Sequence, residues 1–239
     1  VYGGIFVAGM YSVAYFEDDP ETVVQLGLAC IPRRSEYAQL ISDVLQFYKE
    51  NPEDWQACWN MLEDKWAHND FCPKGHEKPY NIDAKLNGGY VAIGLLYGKG
   101  DFEQTLEITT RCGQDNDCNP STAAGILGTM IGYSVIPRDY TIGIPLIAGE
   151  EFSFTRYSYD SLIKDCARLS RDMIERHGGT IELLGDREYF EIVIQSPKPP
   201  DTYEQFTENM FRDYQDEWEN LDTLRAEGFQ RRLQQTVNT

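Results

Sequence analysis

Two carboxylates, Asp115 and Asp117, stand two positions apart in the stretch Arg111-Cys-Gly-Gln-Asp-Asn-Asp-Cys-Asn-Pro120, with Cys118 beside them. Behind them runs a small-residue segment, Ser121-Thr-Ala-Ala-Gly-Ile-Leu-Gly-Thr-Met-Ile-Gly132. In extended backbone, side chains at i and i+2 project to the same side, so both carboxylates can reach one hard cation or two adjacent ones. Asn119 is expected to cap the following helix and Pro120 to take its first position. Gly125, Gly128 and Gly132 recur on roughly one helical face, which predicts that another backbone passes close by. The couplet is therefore expected to face inward from a rigid loop. Solvated turn acids are the competing reading, and spacing alone does not separate the two. An EF-hand is excluded, because the positions that need Gly and Glu hold Pro120 and Ile126.

The elements that must position this loop read as helices. An apolar helix is expected over about 5–17, and Asp19-Pro20-Glu21 opens a second that Ile31-Pro32 stops. Ser35 caps a third running to Lys49, whose apolar residues Tyr37, Leu40, Ile41, Val44, Leu45 and Tyr48 keep a helical period. A fourth, from Pro52 to Trp66, carries Trp55, Cys58, Trp59, Leu62 and Trp66 on a stripe suited to a core. Residues 67–80 read as a loop, and helices are expected at 83–97, 101–111, 120–132 and 138–147. The carboxylate loop then lies between two helices, where a bundle builds ligand sites. Asn87 lies on the 83–97 helix, either reaching toward the site or bonding backbone as a buried amide.

Past residue 150 the pattern changes. A helix over 157–177 ends at Gly178-Gly179, and 180–184 and 188–194 alternate about Gly185-Asp186 as a hairpin. Ser196-Pro-Lys-Pro-Pro200 is a stiff connector. Residues 201–235 read as one long acidic amphipathic helix with Tyr203, Phe206, Met210, Phe211, Tyr214 and Trp218 along a stripe that needs a partner: this chain, another copy or a further C-terminal domain. The expected organisation is a helical domain over 1–150 and an appended helix, hairpin and long helix over 151–239.

With 39 acidic against 21 basic residues the net charge is −18, the opposite of a nucleic-acid footprint. No apolar run approaches the ~18 residues that suggest a membrane span. The six cysteines, at 30, 58, 72, 112, 118 and 166, show no zinc spacing. Cys30, Cys58 and Cys166 lie in apolar helical patterns and are expected in the core, while Cys112 and Cys118 flank the loop and could bridge. His68, His76 and His177 form no readable catalytic set.

The segment from Asn81 to Tyr133, with Leu86-Asn-Gly-Gly-Tyr-Val-Ala-Ile-Gly-Leu-Leu-Tyr-Gly-Lys-Gly-Asp-Phe and the Gly113-Gln-Asp-Asn-Asp-Cys-Asn loop, resembles the C-terminal half of the ADP-ribosylglycohydrolase family. That family, which includes the dinitrogenase reductase-activating glycohydrolases, ends with a Gly-x-Asp-x-Asp-Thr loop before an Ala/Gly-rich helix. The opening segment, Tyr2-Gly-Gly-Ile-Phe-Val-Ala-Gly-Met-Tyr, also looks like the family's central helix, and the resemblance spans roughly 1–150.

The resemblance implies an all-α fold holding two Mg2+ ions that grip ribose hydroxyls beside the glycosidic bond to be hydrolysed. Carried over by position, it makes Asp115 and Asp117 metal ligands and places Cys118 at the family's Thr. A thiol is a poor magnesium ligand, so Cys118 does not ligate, a water replaces it, or the metal differs. Tyr2, Gly3 and Gly4 fall where the family has a glycine-bearing substrate loop, or else simply open a helix. With Asn87, Gly113 and Gln114 they form the expected substrate-binding set. The family's Thr/Ser-Asp-Asp ligand run does not occur in this sequence. That run and the catalytic acid are expected in an N-terminal segment preceding Val1, without which the present chain is expected to be inactive.

The expected function is metal-assisted hydrolysis of a glycosidic bond, on a small-molecule or protein-linked ADP-ribosyl group or another glycoside or nucleoside. The alternative is a non-catalytic binding module that keeps the fold with an incomplete metal site. Neither nucleic acid nor membrane is expected as a partner, and self-association through 201–235 is. The sequence assigns no compartment.

Overall fold

The computed structural model describes residues 1–67 and 83–200. Seven helices form the body: α1 (Tyr2–Ala14), α2 (Pro20–Leu28), α3 (Glu36–Glu50), α4 (Trp55–Trp66), α5 (Ala84–Gly98), α6 (Phe102–Arg111) and α7 (Cys118–Ile131). Short α8 (Arg138–Thr141) and α9 (Ile144–Ile147), then α10 (Tyr159–Arg176) and a hairpin of β1 (Thr180–Leu184) and β2 (Arg187–Glu191), follow. The fold is all-α with a small antiparallel hairpin, as expected.

Local chemistry explains most helix starts. The Asp19 side chain accepts from the Glu21 and Thr22 amides with Pro20 behind it, Ser35 accepts from Ala38, and Asp54, Asp83 and Asp101 cap α4, α5 and α6. α4 begins at Trp55 rather than Pro52 because Asp54 is its cap.

Helix α5 is the centre of the bundle. Every residue from Leu86 to Gly98 is buried, the signature of a helix with no solvent face. The opening helix, by contrast, buries only Phe6, Met10 and Ala14, so the central role expected for it belongs to α5. Small residues let neighbours close on α5: a Cβ at Gly98 would lie 2.8 Å from Thr105 Cα, and one at Gly89 would meet the methyls of Leu40 and Leu62. α1 and α2 touch backbone to backbone, a Cβ at Gly27 falling 3.1 Å from the Phe6 carbonyl oxygen.

The small-residue face of α7 is occupied differently from the expectation. Gly125 accommodates the Tyr11 hydroxyl of α1, whose oxygen would lie 2.1 Å from an added Cβ. Gly128 sits against Ile136, and Gly132 ends the helix at φ 80°. A side chain therefore fills the space predicted for a backbone.

Among the described residues, Leu127 is the last buried apolar side chain. The helix expected over 138–147 is two short ones, parted at Ile142 and Gly143, with Pro145 in the first turn of the second. α10 leaves Leu162, Ile163, Leu169 and Met173 exposed, and Cys166 is exposed with them rather than in the core. The hairpin turns on Gly185-Asp186, pairing Leu184 with Arg187, and β2 ends at Glu191, three residues short of the expectation. Arg171 of α10 grips Glu188 of β2 with both terminal nitrogens at 2.5 Å. No described helix is long and apolar enough to cross a membrane. The expected 67–80 loop, beyond residue 67, and the 201–235 helix lie outside the described residues.

Candidate metal and substrate site

The loop between α6 and α7 is held from below by α5. Asn87, 8% exposed, is the hub: its Oδ1 accepts from the Asp115 amide at 3.4 Å and from Asn119 Nδ2 at 2.6 Å, while its Nδ2 donates to the Asp83 carbonyl at 3.0 Å. Three hydrogen bonds thus converge on the Asn87 side chain under the couplet and satisfy it. The structure makes Asn87 a strut beneath the loop.

This network explains a departure in the loop itself. Asn119 is not the helix cap, because its side chain is committed to Asn87. α7 starts earlier, at Cys118, with Asp117 as its cap residue and Pro120 at the third helical position. Proline is tolerated there because the first amides of a helix have no internal acceptor. The residues ahead of α7 form turns rather than extended backbone, led by Gly113 at φ 87° and Gln114 at φ 54°. Left-handed backbone is natural for glycine and costs other residues about 1 kcal/mol or more. Gln114 is held in it by its side chain, whose Nε2 donates to the Tyr90 hydroxyl at 2.8 Å. The Trp59 indole N–H, donating to the Cys112 carbonyl at 2.9 Å, anchors the root of the loop.

The turn still brings the candidate ligands together. One ligand atom each from Asp115, Asp117 and Cys118 lie within 4.8 Å of one another, and no other such trio of His, Cys, Asp or Glu occurs among the described residues. Asp115 is half-buried, whereas Asp117 and Cys118 are exposed. The couplet therefore sits at the rim of the bundle, not turned into its interior, because α7 begins one residue after Asp117.

Asp117 is held below the ordinary carboxylate range, chiefly by its hydrogen bond with the Asp115 side chain and then by the amides of Asp117 and Cys118. The Cys118 thiol is pushed up, first by its hydrogen bond to Asp115 and then by both negative charges. The trio offers carboxylate oxygens, which are hard donors, and a thiol, which is a soft one. The oxygens fit magnesium, and the thiol does not. Cys112 and Cys118 are both free, and burial pushes the Cys112 thiol up as well.

Tyr2, Gly3 and Gly4 form the first turn of α1. Gly3 and Gly88 flank the buried Tyr37 ring, with a Cβ at either falling within 3.4 Å of its hydroxyl. Since Gly88 adjoins Asn87, the first turns of α1, α5 and α7 gather at one end of the bundle. The expected substrate-binding residues share that end, Tyr2 to Gly4 linked through Tyr37 and Gly88, and Asn87, Gly113 and Gln114 at the loop. Sequence reasoning missed Tyr37, Trp59, Glu63 and Tyr90, whose roles rest on partners more than twenty residues away in sequence and leave no local signal.

Among the described residues, a bundle of seven helices with a carboxylate pair where helix starts gather defines an all-α protein. An ADP-ribosylglycohydrolase family model matches residues 1–173, running past the resemblance read from sequence into α10. The chain belongs to the ADP-ribosylglycohydrolase family, a family of hydrolases. No curated protein and no solved structure matches it.

Proposed function

We propose that this protein binds Mg2+ through Asp115 and Asp117 and acts in the hydrolysis of an N- or O-glycosidic bond, with an ADP-ribosyl group as the first substrate to test. The observation that carries the reading is the convergence of these two carboxylates within 4.8 Å in a chain whose family match covers residues 1–173. Asp115 and Asp117 would hold the ion, which would supply Lewis-acid chemistry toward the hydroxyls of a bound sugar.

The chain's own residues divide the rest of the work. Asp115 and Asp117 supply hard oxygen, and Asn87 fixes the Asp115 amide and hence the direction of its carboxylate. Gly113 and Gln114 shape the approach to the couplet, and Tyr2, Gly3 and Gly4 border the same end. The start of α7 favours an anionic substrate group locally, against the repulsion of a chain carrying −18. That repulsion is why a neutral glycoside or nucleoside is the next substrate to test.

The test is release of free ADP-ribose from ADP-ribosyl-arginine by the full-length protein, followed chromatographically with Mg2+ and with chelator. Release that needs Mg2+ and disappears in Asp117→Asn supports the reading. Binding of Mg2+ and ADP-ribose with no release from any glycoside favours the non-catalytic module, for which the thiol at Cys118 is the supporting feature.

A further inference from the structure

Helix α4 reaches the carboxylate loop twice from one face. Trp59 holds the Cys112 carbonyl directly. One turn on, Glu63 accepts from the Tyr90 hydroxyl, and the Tyr90 oxygen accepts from Gln114 Nε2 at 2.8 Å. Tyr90 is wholly buried, and Glu63 and Gln114 are half-buried.

The order of these bonds follows from proton counting. A carboxylate only accepts, so the single proton of Tyr90 is committed to Glu63 and its oxygen is left to accept. Gln114 must then present its NH2 to Tyr90. With the nitrogen so placed, Gln114 Oε1 is a buried acceptor with no partner. A buried polar atom left unpaired is rare and is accounted for by strain, by a functional role or by an ordered water or ion that it contacts.

We propose that Glu63 is a positioning residue of the carboxylate loop: through Tyr90 it fixes the Gln114 amide so that Oε1 accepts from an O–H group bound beside Asp115. This rests on the function proposed above. The O–H group belongs either to water on a cation at Asp115 and Asp117 or to a sugar hydroxyl. Without an acceptor at position 63, the Tyr90 hydroxyl is no longer held in the orientation that receives the Gln114 NH2, and Oε1 loses its fixed direction toward the external donor.

Nitrogen-15 NMR of the Gln114 side-chain amide in the full chain tests this. The variants are Tyr90→Phe, Glu63→Leu and Glu63→Gln, and the probes are Mg2+ alone and Mg2+ with ADP-ribose. In the free protein the Gln114 NH2 pair is expected to exchange slowly with solvent. That protection is lost in Tyr90→Phe and Glu63→Leu and retained in Glu63→Gln, whose carbonyl oxygen still accepts. A purely packing role for position 63 would not be rescued by Gln over Leu. Glu63→Leu is expected to weaken Mg2+ binding ~10-fold or more, as loss of outer-sphere support does. In the wild type, a Gln114 shift with Mg2+ alone assigns the donor to cation-bound water, and a shift only after ADP-ribose assigns it to the sugar. Unchanged protection in Glu63→Leu overturns the relay, and binding of both probes without a Gln114 shift overturns the acceptor role. A wild type that binds neither probe sinks the proposed function and the acceptor role with it, while the relay is read separately in the free protein.

Discussion

Cys118 stands where the resemblance expects a Thr, and its thiol is pushed up by its hydrogen bond to Asp115 and by the charges of Asp115 and Asp117. Replacing it with a hydroxyl exchanges a soft group for a hard donor. Cys118→Thr is therefore expected to tighten Mg2+ binding, by at least the roughly tenfold that outer-sphere changes alone produce. Calorimetric titration of the two proteins side by side measures it, and equal affinities would show that position 118 takes no part in the cation's surroundings. The carboxylate couplet was legible in the sequence through its two-residue spacing taken with the family resemblance, although a turn, and not the extended backbone expected, brings Asp115 and Asp117 together. Its exposure was not, since that depends on where α7 begins, and the beginning is set by Asn119 bonding Asn87, 32 positions away.

At the scale of elements, helix starts governed by neighbours in sequence were readable: Asp19 with Pro20, Ser35 over Ala38, and the Gly185-Asp186 turn. Those governed by tertiary contact were not, and α7 is the example. The centrality of α5 is a further case, because Leu86 to Gly98 mixes glycine, tyrosine and aliphatic residues without a polar face, and only packing shows that α3, α4, α6 and α7 surround it. Asn87→Leu would leave the Asp115 amide and the Asn119 side chain without their acceptor, at a cost of about 1–3 kcal/mol for each buried group left unpaired. Denaturant melts read that loss, and wild-type stability in the variant would contradict the strut. Gly98→Ala tests the α5–α6 contact independently. With Thr105 Cα 2.8 Å from the added Cβ, overpacking is expected to cost about 1–3 kcal/mol while leaving Mg2+ affinity unchanged.

For the whole molecule, the described residues divide into a bundle with a buried core ending at Leu127 and a following region whose apolar side chains are largely exposed. The expectation of self-association through 201–235 predicts that truncation after Pro200 lowers the number of chains per particle seen by light scattering, and an unchanged number would remove it. Alkaline pH acts on the bundle. Burial lifts the Cys58 thiol from 9.0 to about 11, and Tyr37 and Tyr97 are raised as well, again chiefly by burial. Each such group keeps its proton in the folded state after the unfolded chain has lost it, so stability is full below about pH 9 and falls as pH rises. Cys58 alone accounts for about 2–3 kcal/mol across pH 9 to 11. Urea unfolding at a series of pH values follows the decline, and a flat profile would mean these groups are hydrated in the folded protein. The most direct test of the whole account is calorimetric titration of this chain with Mg2+, beside Asp115→Asn and Asp117→Asn. Saturable binding in the parent that disappears in both variants is the predicted result; no saturable heat, or binding that survives both substitutions, would contradict it.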